Sequence, residues 1–252
     1  MSPAHYQHIP LKVIGVASGG DQRLYPSLKV DGTPDWQLGD GDVRQWEIES
    51  LGWTHGAPAN RRDYPGIRGS VFLTDSRLVA ISGNYVQGGK SSAYGFGNQL
   101  LLTTAASKIS NMKASRDAAG TFLVGQMRLP WITGVVFGGE AVSKNSRGEV
   151  RLLGEHVTAF GDPETVMLLF RLRRPIEAPE FVEELSERVK RDRLSWRDTT
   201  DDQCVALNQL PSPRALRVSE NTLPMISFPV AYRINANTAS NGANSMKSFS
   251  TS

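Results

Sequence analysis

The sequence predicts an α+β fold that is mainly β, a small antiparallel barrel or sandwich whose open end is plugged by one amphipathic helix. Two hairpin signatures and one helix carry that expectation. Gly69–Ile81 sets two runs rich in β-branched and large apolar residues about the tetrad Thr74-Asp75-Ser76-Arg77, and Asp and Ser turn a chain by bonding the neighbouring backbone. Arg151–Phe160 and Thr165–Leu172 flank Gly161-Asp162-Pro163-Glu164, a second stretch with strong turn chemistry. Pro179–Trp196 then places Phe181, Val182, Leu185, Val189 and Trp196 on one stripe, with Glu180, Glu183 and Glu184 early and Arg188, Lys190, Arg191 and Arg193 late. That charge order suits the helix dipole, and a proline near the start is preorganised for a first turn.

In chain order, residues 1–35 mix Gly, Pro, Asp and Ser with little period and read as a leader, with a turn-rich polar stretch over Asp31–Asp42. From Val43 the residues alternate up to Leu51-Gly52-Trp53, which predicts a strand with Trp46 and Ile48 inward. Thr54–Arg68, rich in Pro, Asn and Arg, reads as a loop before the first hairpin. Gly, Ser and Tyr then accumulate through Gly97. Leu101 or Leu102, Ala105, Ile109 and Met112 recur at helical spacing within Gln99–Asp117, and Gly120 closes that segment. Thr121–Val124 and Gln126–Phe137 look extended, with Pro130 arguing for an edge position or a bulge. In the second hairpin's later arm Val166, Leu168, Phe170 and Leu172 share a face. Beyond the helix, Arg197–Gln209 is polar, Leu223–Tyr232 reads as a strand, and Ile234–Ser252 has the Ser/Asn/Thr/Ala composition of a disordered tail.

The 252 residues, 39% of them hydrophobic, suffice for one large or two small domains. A net charge of +3 is well short of a dedicated nucleic-acid coat. The single cysteine, Cys204, excludes an intramolecular disulfide framework and a cysteine-based zinc site, which points to a reducing, cytoplasmic setting. The apolar run Val13–Ala17 is too short for a signal-peptide core, and no stretch approaches the roughly eighteen apolar residues of a membrane helix. The expectation is a protein not integral to a membrane, although it could sit on one.

Gly-Ser-Val-Phe-Leu-Thr-Asp-Ser-Arg-Leu-Val at 69–79 resembles the Gly-x-hydrophobic-x-Leu-Thr-x-x-Arg-Leu-hydrophobic hairpin of GRAM and bacterial pleckstrin-homology-like domains. Leu129-Pro130-Trp131-Ile132-Thr133-Gly134-Val135 is similar to the strand of such domains in which a Pro precedes an Ile and a Val. With the closing helix, the resemblance covers residues 36–196. It implies a bent seven-stranded antiparallel barrel capped by a C-terminal helix, used by relatives for docking to lipids or proteins. Residues 97–120 would be a helical insertion between central strands, and 1–35 and 197–252 a leader and an extension with no counterpart in a minimal domain.

Arg61, Arg62 and Arg68 fall in the loop between the first two barrel strands, which in pleckstrin-homology relatives faces anionic head groups. A guanidinium fork suits phosphate oxygens, and the competing reading is a solvated loop. The lysine and arginine spacing of phosphoinositide-specific relatives is absent. Lys108, Lys113 and Arg116 with Arg171, Arg173 and Arg174 form a second basic set if the inserted helix lies beside the second hairpin. Mixed charges over 184–193 read as helix solubility.

His5, His8, His55 and His156 lack metal-ligand spacing. Gly95-Phe96-Gly97 lacks the third glycine of a dinucleotide fingerprint, and Asn84 stands where a P-loop ending in Gly89-Lys90-Ser91 needs glycine. No nucleophile elbow occurs, Cys204 has no nearby histidine, and the five tryptophans read as core rather than base-stacking platforms. The expectation is therefore a non-catalytic intracellular binding module, without cofactor, metal or nucleic acid, docking on an anionic lipid surface or a protein partner. The alternative is a structural or regulatory oligomerising protein that binds no lipid. An enzyme with a site assembled from distant residues has the least support.

Overall fold

Alternation of inward and outward side chains, broken by two bulges, shapes the sheet in the computed structural model, which describes residues 6–8, 34–36, 38–55, 62–82, 122–139, 146–157, 163–196, 199–216, 223–229 and 234–235. Its strands are β1 (Tyr6–His8), β2 (Arg44–His55), β3 (Arg62–Leu73), β4 (Arg77–Ser82), β5 (Phe122–Arg128), β6 (Ile132–Phe137), β7 (Glu149–Val157), β8 (Pro163–Leu172), β9 (Met225–Ser227) and β10 (Ile234–Asn235). The helices are α1 (Ala178–Leu194) and α2 (Asp201–Asn208). The sheet runs β1-β5-β4-β3-β2-β8-β7-β6-β9, with β10 against β7. Strands β2 to β9 pair antiparallel, while β1 and β10 add parallel contacts.

The α+β, mainly β expectation therefore holds. The ladder is an open sheet with β1 and β9 at its ends, not a closed ring. The predicted helix over 99–117, the turn at 158–162 and the tail beyond 235 lie outside the described residues.

Three sequence expectations need correction. The loop expected over Thr54–Arg68 is partly strand, because β3 begins at Arg62 and pairs with β2 from Trp53 onward. Pro65 is tolerated there because the register shifts beside it: Ile48 faces Gly69 and Ser50 faces Pro65, so three residues of β3 stand against Glu49 alone. Pro130 marks neither an edge nor a bulge. It opens a 3-10 turn, Leu129–Trp131, between β5 and β6, where its missing N–H costs no ladder bond. The polar stretch 197–209 contains α2, started by a capping box in which Thr200 and Gln203 satisfy each other's backbone N–H groups.

The hairpin apolar residues separate by parity. Val71, Leu73, Leu78 and Ala80 enter the main core, whereas Val79 and Ile81 join Val124 on the other face, covered by Trp36 and Phe72. On β2, Trp46 and Ile48 are buried as their alternation predicts, and Val166, Leu168, Phe170 and Leu172 are buried together on β8. Helix α1 lays Phe181, Val182, Leu185 and Val189 on this face, all fully buried, each stabilising by about 1.5–3 kcal/mol. Phe181 packs edge-on against both Trp46 and Phe170, at centroid distances of 5.0 and 5.4 Å. Among the described residues no helix is long and apolar enough to cross a membrane.

Candidate functional site

The tetrad at the β3–β4 turn is the anchor for two other parts of the chain. Thr74 N donates to Arg77 O at 2.9 Å and closes the turn, and the Thr74 hydroxyl accepts from Arg77 N at 2.9 Å. Asp40, in a 3-10 turn at Leu38–Asp40, is buried against it. Its carboxylate pairs with the Arg77 guanidinium and accepts from Ser76 Oγ at 3.0 Å, while Asp75 N donates to Asp40 O at 2.9 Å. Gly41 follows at φ +58, and a Cβ there would fall on the Asp75 carboxylate. Asp42 N donates to that carboxylate at 3.2 Å.

The helix completes the junction through Arg188, whose side chain is 3% exposed. Its guanidinium donates to Asp42 O at 2.6 Å and Asp42 Oδ2 at 2.9 Å, lies 3.3 Å from Asp75 Oδ1, and bonds Glu184 one turn earlier at 2.8 Å. One buried cation thus joins the segment before β2, the hairpin tip and α1.

A second buried cation ends the helix. Arg193 is fully buried and donates to the backbone carbonyls of Ile132 and, at 2.7 Å, of Pro229, with its guanidinium 5.5 Å from the Phe228 ring centroid. Burial lowers its pKa to about 10, opposed by the adjacent Asp192 charge. Burial raises Asp192 to about 6, with Arg193 and a hydrogen bond to Trp196 pulling it back.

The arginines named from the sequence fall only partly within the described residues. Arg61 lies outside the described residues, as do Lys108, Lys113 and Arg116. Arg62 sits in β3 opposite Trp53, and Arg68 lies further along the same strand, in the bulge facing Glu49. Six residues of extended strand separate their backbones by up to roughly 20 Å. Arg68 is exposed. Arg171, Arg173 and Arg174 are each held by a carboxylate: Arg171 lies 3.8 Å from Glu49, Arg173 lies 2.7 Å from Glu47, and Arg174 pairs with Glu177. Their outer face is an ion-pair row with little net positive field.

Sequence reading missed Arg188 and Arg193 because it treated 184–193 as a solvated charged stretch. The signal was present: 181, 185 and 188, and 185, 189 and 193, advance in helical steps of three and four, so both arginines fall on the stripe that carries Phe181 and Leu185. Among the described residues no group of three His, Cys, Asp or Glu is placed to hold a metal ion. No protein-family model matches the chain, and a search of curated proteins finds none similar to it.

Proposed function

We propose that this chain is a non-catalytic docking module of pleckstrin-homology or GRAM kind, which presents a rigid strand-and-helix frame to an anionic surface. The observation that carries the reading is the succession of elements: β2 to β8 in the order β5-β4-β3-β2-β8-β7-β6, and then a helix pinned across them by Phe181 and Arg188. A strand succession of that length followed by one capping helix is what the hairpin resemblance implies. The ionisable side chains of the frame support it too, since Asp40, Arg77, Arg188 and Arg193 are engaged in holding elements together. Recognition falls to Arg68, exposed on β3, with Arg62 at the start of the same strand and Arg61 just before it in the chain.

Co-sedimentation with phosphatidylcholine vesicles, with and without phosphatidylserine, tests this. The expected result is binding that requires phosphatidylserine, weakens with salt and falls at least fivefold when Arg61, Arg62 and Arg68 are all alanine. Unchanged binding by that triple variant rejects the site.

A second reading, an interaction protein that ignores lipid, is favoured by the Glu47–Arg173 and Glu49–Arg171 pairs, which neutralise the outer face of β2 and β8. Absence of vesicle binding together with a defined oligomer in light scattering would select it.

A further inference from the structure

We propose that the edge of β6 beside α1 is a receptor for an extended peptide carrying apolar residues at alternate positions, and that Met225–Pro229 is its tethered occupant. Without β9, β6 is the outer strand of the sheet, and β9 covers it with only three residues. The register sets Ser227, Ile226 and Met225 against Gly134, Val135 and Val136. Two further bonds extend the ladder, Phe228 N to Thr133 O at 2.9 Å and Phe137 N to Pro224 O at 3.2 Å.

The seat is shaped for this occupant. A Cβ on Gly134 would lie 3.0 Å from Ile226 O and 3.3 Å from the Met225 methyl, so a side chain there would push the added strand back by a few tenths of an ångström. Ile226 and Phe228 are buried in the main core while Met225 and Ser227 face outward, the two-residue alternation by which strand addition reads side chains. Arg193 closes the far end, with one guanidinium nitrogen on Ile132 O of the receptor and another on Pro229 O of the occupant, and the ring of Phe228 beneath it. A fully buried cation is costly without acceptors, so Arg193 favours a segment that places a carbonyl at this position. The tether through residues 217–222 gives the occupant a high effective concentration, so a free peptide gains access once the tether is cut. The inference is independent of anion docking, because the two surfaces share no residue.

The test uses the full chain with a protease site inserted between Leu216 and Leu223, cut after folding. The probe is a fluorescent peptide of residues 222–236, which spans both β9 and β10. The peptide is expected to replace the cut fragment, to bind the uncut chain at least tenfold more weakly, and to lose binding when it carries Ile226→Asp and Phe228→Asp. A cut fragment that excess peptide never replaces overturns the proposal. So does loss of circular dichroism when the fragment leaves, because the sheet then does not hold its fold without the segment, and so does equal binding of the doubly substituted peptide.

Discussion

Arg188 on the helix reaches Asp75 at the tip of the β3–β4 hairpin, 3.3 Å between Nη1 and Oδ1 across 113 residues of chain. The guanidinium is 3% exposed and the carboxylate side chain 40%, so the two partners are unequal. Removing the arginine deletes a set of bonds, including that to Asp42 O, whereas neutralising Asp75 touches a group that water already solvates. Arg188→Met should lower unfolding free energy by about 2 kcal/mol, and Asp75→Asn by under about 1 kcal/mol. Urea midpoints at unchanged slope would measure both. Equal losses would contradict the view that Arg188, rather than the hairpin tip, is the hub.

Asp40 and Arg77 form the other ion pair, with side chains only 2% and 3% exposed. Removing one partner strands a buried charge. Asp40→Ala should cost about 3–5 kcal/mol, and the double variant Asp40→Ala, Arg77→Met should cost clearly less than the sum of the singles. A double-mutant cycle reads the coupling directly. Additive losses would mean that the two side chains act separately.

The legible part of the fold is what local periodicity dictates. Trp46 and Ile48, the four alternating residues of β8, and Phe181, Val182, Leu185 and Val189 of α1 were readable because one face of each element is buried at a fixed step, whereas Trp196 falls beyond the helix end and is only half-buried. What escaped depends on topology. Glu47 meets Arg173 across 126 residues, a contact that exists only because the strand start β2 and the end of β8 lie side by side. Arg188 and Arg193 were read as solvated because charge usually implies water, and here Asp42, Asp75 and two carbonyls replace it. The start of β3 was hidden by Pro65 and Gly66, which read as loop residues unless the bulge that accommodates them is known.

Gly41 gives a backbone test of the same junction. Its φ of +58 disfavours a side chain by about 1–2 kcal/mol, and the added Cβ would also displace the Asp75 carboxylate that accepts from Asp42 N. Gly41→Ala should therefore lose more than about 1 kcal/mol in urea unfolding, and combining it with Asp75→Ala should recover part of that loss. A Gly41→Ala variant as stable as the parent would show that the segment before β2 does not need this conformation.

Asp192 supplies a pH dependence with a definite sign. Its pKa is raised from 3.8 to about 6, chiefly by burial, while Arg193 and Trp196 oppose the shift. Between about pH 4 and pH 6 the folded chain holds a proton at this position that the unfolded chain has released, so this group's contribution to stability falls as pH rises through that window and is flat above it. Asp192→Asn retains a side chain that can bond Trp196 and carries no charge to desolvate. The variant should match the parent near pH 4 and exceed it at pH 7.5 by roughly 1–2 kcal/mol, discounted for partial exposure. Thermal midpoints of both proteins across this range isolate the group, because every other carboxylate is common to the pair. A constant difference from pH 4 to 7.5 would sink the assignment.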